Sequence, residues 1–102
     1  MNKQSAISLK DVVAIDPMVL QLGHEFATDL FEAGKYGDVE VIVKGLLAAD
    51  RKDVRALELY VALLRREGRL RDAVTLLEEA QAWQPSNARV PKLLGDLRAM
   101  LP

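Results

Sequence analysis

The sequence predicts an all-α fold, a short α-α superhelix of about two helix-turn-helix repeats followed by a C-terminal capping helix. Three observations support this prediction. Apolar residues recur at spacings of three and four along most of the chain, which is typical of amphipathic helices. Gly34 and Gly68 stand where the chain would reverse between helices. The whole pattern also recurs after 34 residues, as it does in stacked helical hairpins.

Composition excludes several classes of function. The chain has 102 residues, which is the size of one domain, and its 14 basic and 15 acidic residues give a net charge of −1. That balance argues against nucleic-acid binding through bulk charge. There is no cysteine and only one histidine, His24, so we expect neither a metal nor a cofactor. No apolar run is long enough for a signal peptide or a membrane span, so a cytoplasmic location is the default expectation.

Residues 1–19 are predicted to form an N-terminal arm or short helix, and residues 20–102 the repeat domain. The apolar residues of the arm, such as Ile7, Leu9 and Val12, fit neither a helix nor a strand spacing cleanly. The arm could cover the first repeat, contact a partner or a second copy, or be a frayed end. The sequence leaves these alternatives open.

Two helices are predicted before residue 50. Asp16 and Pro17 are a strong start signal for the first helix, which would run to about residue 33. Its predicted inner stripe is Val19, Leu22, Phe26, Leu30 and Ala33. Asp38 would cap the second helix, at about 38–49, with an inner stripe of Val39, Ile42, Val43, Leu46 and Leu47. Its β-branched residues also favour a strand, but the 34-residue alignment with 73–80 favours the helix.

Three more helices follow. One is predicted at about 54–67 and ends at Gly68, with Leu57, Tyr60, Val61 and Leu64 inward. The next, at about 72–83, begins with Asp72 as its cap and turns Ala73, Leu76, Leu77 and Ala80 inward. Ser86 or Asn87 would cap the last helix, at 88–101, with Val90, Leu93, Leu94, Leu97 and Leu101 as its apolar positions.

The residues of 54–87 resemble the consensus of the tetratricopeptide repeat family. The matching positions are Leu57, Tyr60, Val61, Leu64, Gly68, Leu70, Ala73, Leu77, Ala80 and Pro85. Residues 20–53 match more loosely, because Gly23 stands where a large residue is usual and Arg51 where proline is usual. Residues 88–101 would supply a capping helix.

The resemblance implies a concave groove, lined by the first helix of each repeat, that holds a peptide or helix of a partner protein. The positions that would line it are Gln21, His24, Thr28, Phe31, Arg55, Glu58, Ala62, Arg65, Arg89, Lys92 and Asp96. Four of these side chains are basic and two are acidic, which favours a partner with acidic character or a free C-terminus. The alternative is that they are simply the solvated sides of amphipathic helices.

The sequence therefore predicts a protein–protein interaction module and not an enzyme, and a chaperone or adaptor is the more specific form of this prediction. In size and repeat pattern it resembles small bacterial type III secretion chaperones, which are often dimers or parts of small complexes. The alternative function is a structural subunit that oligomerises through its apolar terminal helices, with Leu97, Met100 and Leu101 as the contact. Trp83 would pack under the capping helix or serve as an exposed anchor for a partner.

Overall fold

Five consecutive α-helices make up residues 17–102, the part of the chain that the computed structural model describes. They are α1 (Pro17–Glu32), α2 (Tyr36–Ala49), α3 (Val54–Arg66), α4 (Leu70–Trp83) and α5 (Arg89–Met100). Each helix contacts the next along the chain, and α1 also contacts α3. The predicted all-α repeat fold is confirmed. Because α1 begins at Pro17, it crosses the boundary that we predicted after residue 19, and the rest of the predicted arm lies outside the described residues.

The two helical hairpins close with the same turn, 34 residues apart. Gly34 and Gly68 have positive φ angles of 79° and 75°, which a residue with a side chain adopts only with strain. In each turn the next amide donates back to the preceding helix, from Lys35 to the Leu30 carbonyl (2.9 Å) and from Arg69 to the Leu64 carbonyl (2.8 Å). These glycines end α1 and α3 and satisfy carbonyls that would otherwise lack donors.

Both second helices begin two residues earlier than we predicted. α2 starts at Tyr36 and α4 at Leu70, so Asp38 and Asp72 lie inside the first turn and are not caps. Each helix begins two residues after the glycine of the turn, and neither helix has a side-chain cap. The two carboxylates still favour the helix starts through the dipole of the helix.

The turns between repeats are also equivalent. Asp53 is the N-cap of α3, and its Oδ1 accepts a hydrogen bond from the Ala56 amide at 2.9 Å. The corresponding residue 34 positions later is Asn87, whose Oδ1 accepts from the Arg89 amide at 3.0 Å. The N-cap of α5 is Ala88, which makes no side-chain cap, so neither of the predicted caps, Ser86 and Asn87, occupies that position. Asn87 contacts the first helical amide from one residue before the cap.

The larger part of the core joins α2, α3, α4 and α5. Most of the predicted inner residues of these four helices are buried in it, and Tyr60, Leu93 and Leu101 pack on it while partly exposed. Its buried members are Leu46, Leu47, Ala56, Leu57, Val61, Leu64, Ala73, Val74, Leu76, Leu77, Ala80, Val90, Leu94 and Leu97. A smaller cluster joins α1, α2 and α3 through Ala27, Val39, Val43 and Leu63. Burial of these side chains is the main force that stacks the helices.

The predicted inner stripe of α1 is wrong in part. Leu22 and Phe26 are 57% and 58% exposed, whereas Ala27 is fully buried and Leu30 and Phe31 are half-buried. Among residues 17–102 this helix packs on α2 and α3 only, so the described contacts cover only the side that faces them. Periodicity identified the apolar side chains correctly but could not show that part of the stripe would have no neighbour among the described residues.

Gly23 departs from the repeat pattern because α1 approaches α2 closely there. A Cβ atom at this position would lie 3.2 Å from Cδ2 of Leu46, which is tighter than ordinary van der Waals contact. The large residue that is usual at this position would therefore push the two helices apart.

Candidate functional site

The first helices of the repeats, α1, α3 and α5, carry the residues that we predicted to contact a partner. We call this set the first-helix face, defined by Gln21, His24, Thr28, Phe31, Arg55, Glu58, Ala62, Arg65, Arg89 and Lys92. Positions that are 34 residues apart lie on adjacent first helices, and two contacts show this directly. Nη1 of Arg55 donates to Oε1 of Gln21 at 3.1 Å, and Nε of Arg89 lies 2.7 Å from Oε2 of Glu58.

These two contacts change the charge that the face offers to a partner. Arg89 is held in an ion pair, and Arg55 is held by a neutral amide. Among the described residues, no hydrogen bond or ion pair engages the side chains of Arg65 and Lys92. Of the four basic side chains predicted to line the groove, these two are available to an anionic group without loss of an internal contact.

Arg65 borders a shallow cavity of about 380 Å³ at one end of the face. Phe31, Ala62 and Arg66 line the rest of it. The Phe31 ring is half-buried, packs at 5.5 Å from the Tyr36 ring, and lies 6.0 Å from the Arg66 guanidinium carbon. The cavity thus combines an apolar floor with two cationic rims, which suits an apolar side chain that is flanked by a carboxylate.

His24 is held by the chain and is not a free ligand of the face. Its Nε2 lies 2.7 Å from Oδ2 of Asp53, and both side chains are largely buried. The other oxygen of Asp53 caps α3, so this carboxylate fixes α1 to the start of α3. The hydroxyl of Thr28 donates to the His24 backbone carbonyl and not to the imidazole. The imidazole and the carboxylate thus form a structural clamp between α1 and α3.

Gln84 extends this clamp to the next turn, a role that its residue type and position in the repeat did not indicate. Its Nε2 donates to the carbonyls of Arg51 (2.9 Å) and Asp53 (3.2 Å), and its Oε1 accepts from Asn87 (2.8 Å). Among residues 17–102, Gln84 is the most deeply buried polar residue, with 5% of its surface exposed. It joins the two turns between repeats and so sets the spacing of α3 and α5.

A charged network holds the opposite side of the repeats. Arg69 contacts Glu40 (2.9 Å), Glu67 (3.0 Å) and Asp72 (3.0 Å), and the Tyr60 hydroxyl donates to Glu40 at 2.9 Å. The hydrogen bond from Arg69 holds the pKa of Glu40 below its ordinary value, although burial acts in the other direction. Burial, followed by the neighbouring Glu40 carboxylate, raises the pKa of Tyr60 to about 12. These residues fasten α2 to α3 and α4 and leave the first-helix face unobstructed.

The remaining predicted residues are divided between surface and core. Trp83 is half-buried on the larger core, with the Arg51 guanidinium carbon 5.4 Å from its ring centre. Leu97 is fully buried and is not accessible to a second copy, Leu101 is half-buried, and Met100 is 47% exposed. Only Met100 and part of Leu101 are therefore available for the predicted self-association.

Two kinds of site are missing from residues 17–102. No cluster of three His, Cys, Asp or Glu side chains is arranged to hold a metal ion there. Nor does this part of the chain contain a helix with the length and apolar character needed to cross a membrane.

The stacked hairpins, the paired glycine turns and the first-helix face together define a helical repeat protein of the tetratricopeptide type. A family model described as tetratricopeptide repeat matches residues 30–97, which is more than half of the chain, and the protein belongs to this family. Members of the family generally mediate protein–protein interactions and are generally not catalytic. The comparisons with curated proteins and with solved structures each returned no match.

Proposed function

We propose that the protein binds a helical or extended segment of a partner protein on the first-helix face, and that this segment carries acidic residues. The observation that supports the proposal is the position of Arg65. It is a cation without an internal partner among the described residues, at the edge of a cavity with an apolar floor of Phe31 and Ala62. Lys92 adds a second unengaged cation on α5. A charge-assisted hydrogen bond contributes about 1.5–3 kcal/mol, so two such contacts can orient a peptide.

The test uses peptides selected from a random display library on the wild-type protein. We expect the selected peptides to be enriched in Asp, Glu or a free C-terminus next to an apolar residue. The double variant Arg65→Ala/Lys92→Ala should weaken their binding tenfold or more, since one lost contact of about 1.4 kcal/mol already corresponds to tenfold. The control Lys35→Ala/Arg71→Ala also removes two exposed cations, but both lie outside the first-helix face.

Selected peptides that bind both double variants equally well would contradict the proposal. Higher salt should also weaken binding to the wild type, because these side chains are exposed and screened. Binding that does not depend on salt would argue for an apolar site elsewhere on the protein.

A chaperone or adaptor role is the finer form of this proposal, and type III secretion chaperones are the group that the chain resembles in size and repeat pattern. On this hypothesis, co-expression with a small export substrate should yield a stoichiometric complex that the Arg65→Ala/Lys92→Ala variant does not form. A complex that survives both substitutions would show that the chaperone activity, if present, uses another surface.

The alternative function, a structural assembly subunit, is favoured by one observation, the exposure of Met100 at the end of α5. It predicts a mass above that of the monomer in light scattering, which Met100→Asp should reduce to the monomer. Leu97→Asp would not be informative, because it places a charge in the core and would unfold the protein. A monomeric mass at high micromolar concentration would eliminate this alternative.

A further inference from the structure

The exposed part of α1 corresponds to positions that are buried in the other first helices. Leu22 and Phe26 align with Ala56 and Tyr60 of α3 at the 34-residue period, and then with buried residues of α5. Ala56 is buried in the core that contains Leu46 and Leu47 of α2, and the Tyr60 hydroxyl donates to Glu40 of α2. These are therefore the positions at which a first helix packs against the second helix that precedes it. On α1 they remain 57% and 58% exposed.

At the other end of the stack, α5 does not expose large apolar side chains at the equivalent positions. The side of α3 that faces onward along the stack carries buried Leu57, Val61 and Leu64, but the aligned residues on α5 are all exposed. Those residues are small or charged: Pro91, Gly95 and Arg98. The α5 end is thus suited to water, whereas the α1 end presents a leucine and a phenylalanine. The α1 end has the composition of an interface.

The segment that precedes α1 has the sequence pattern of the second helices α2 and α4. Residues 2–15 align with α2 at one period and with α4 at two periods. A small residue, Ser5, falls where α4 has Ala73, and apolar residues fall where both helices have buried ones. These apolar positions are Leu9, aligned with Val43 and Leu77, and Val12, aligned with Leu46 and Ala80. Pro17 likewise aligns with Pro85.

Charge agrees with this assignment. The helix α1 carries acidic Glu25, Asp29 and Glu32, all exposed, and contains no Lys or Arg. The preceding segment, residues 2–15, carries Lys3 and Lys10 against the single acidic residue Asp11, so its side chains have a net charge of +1.

We propose that residues 2–15 are a repeat's second helix that precedes α1 along the chain, and that they pack on Leu22 and Phe26 as α2 packs on α3. The occupant of this surface is a segment of the same chain and not a partner protein. The contact between Glu40 and Tyr60 then has its equivalent at Ala6 and Phe26, one period earlier. The first-helix face lies on other side chains of α1, so this surface and the proposed peptide site are tested separately.

The absence of native cysteine allows a direct test in the full chain. Phe26→Cys should react with a thiol reagent at least tenfold more slowly than Val41→Cys, whose position is 71% exposed on α2. Adding Leu9→Asp should remove this protection, because Leu9 aligns with fully buried residues. The matched control is Ile7→Asp, which should leave the protection intact, because Ile7 aligns with exposed Val41 and Thr75.

Three results would overturn the proposal. Equal labelling rates for Phe26→Cys and Val41→Cys would show that nothing covers α1. If Leu9→Asp and Ile7→Asp changed the labelling rate of Phe26→Cys equally, residues 2–15 would not pack through the side that carries Leu9. Protection that increases with protein concentration, together with a dimeric mass, would assign the surface to a second copy.

A cross-linking experiment keeps the proposal testable if Leu9→Asp fails to fold. In the variant Ala6→Cys/Phe26→Cys, a short bis-maleimide should join the two thiols within one chain at low micromolar concentration. The control Ala6→Cys/Arg71→Cys places the second thiol on α4 and should give less than a tenth of that product. Equal yields, or cross-links mainly between chains, would contradict the proposal.

Discussion

Gln84 offers the sharpest test of how the turns between repeats hold the structure. Replacing it with leucine keeps the size of the side chain but removes its hydrogen bonds to Arg51, Asp53 and Asn87. Each lost bond costs about 0.5–1.5 kcal/mol, so three cost roughly 1.5–4.5 kcal/mol. Two effects reduce this sum. Leucine gains about 1 kcal/mol from apolar burial, and water can replace the donor to the exposed Arg51.

We therefore expect Gln84→Leu to lower the free energy of unfolding by about 2 kcal/mol. At about 4–8 °C per kcal/mol for a domain of this size, the melting temperature should fall by roughly 10 °C. Urea denaturation followed by circular dichroism gives the free energy, and a thermal scan gives the melting temperature. The control is Gln81→Leu, the same substitution one turn earlier at an exposed position of α4.

The reasoning would be refuted if Gln84→Leu and Gln81→Leu unfolded within about 0.5 kcal/mol of each other, which is the usual effect of a surface substitution. Such a result would mean that the turns are held by backbone hydrogen bonds alone. If Gln84→Leu lowered the free energy of unfolding by more than about 4 kcal/mol, the lost hydrogen bonds alone would not explain it. The packing of α4 on α5 would have to be lost as well.

Three further predictions follow from individual residues. Gly68→Ala should destabilise by about 1–2 kcal/mol because of its positive φ angle, whereas Gly95→Ala, in open space on α5, should stabilise by about 0.5–1 kcal/mol in urea denaturation. The pKa of Glu40 is lowered in the folded state, so its contribution to stability is present above the unfolded pKa and is lost as pH falls through the folded pKa. Glu40→Gln should therefore lose less stability than the wild type between pH 6 and pH 3, and an equal loss would contradict the Arg69 contact. The pKa of Tyr60 is raised to about 12, so its contribution is present below the unfolded pKa of 10 and is lost as pH rises through 12; ultraviolet titration should show a late tyrosine ionisation that Tyr60→Phe removes.

Repetition explains why much of the fold could be predicted from the sequence. Gly34 and Gly68 mark the turns because only glycine adopts their backbone angles without strain. The inner stripes of α3 and α4 are buried as predicted, apart from Tyr60, which is partly exposed. At Leu22 and Phe26 the predicted burial is not provided by residues 17–102, because no described helix packs on them. Hydrophobic periodicity shows which side chains prefer burial, but it contains no information on whether another helix is present to bury them.

The candidate site was predictable as a surface but not as a set of contacts. The 34-residue period places Gln21 and Arg55 on adjacent helices, and their contact is the direct result. The partners of Gln84 and Arg69 are backbone carbonyls and carboxylates 29–33 residues away, reached from helix ends. Such pairs depend on the exact path of the turns, which residue type and spacing do not determine.

The internal contacts also determine which cations should contribute to affinity. A partner carboxylate that binds Arg89 must displace Glu58, so the new ion pair replaces an existing ion pair of the same kind and its gain is largely cancelled. Arg65 and Lys92 give up no such contact. With the selected peptides, Arg65→Ala or Lys92→Ala should therefore raise the Kd about tenfold each in titration calorimetry, whereas Arg55→Ala or Arg89→Ala should raise it less than threefold. The reverse ranking would mean that peptides break the contacts between α1, α3 and α5, and that the first-helix face rearranges when it binds.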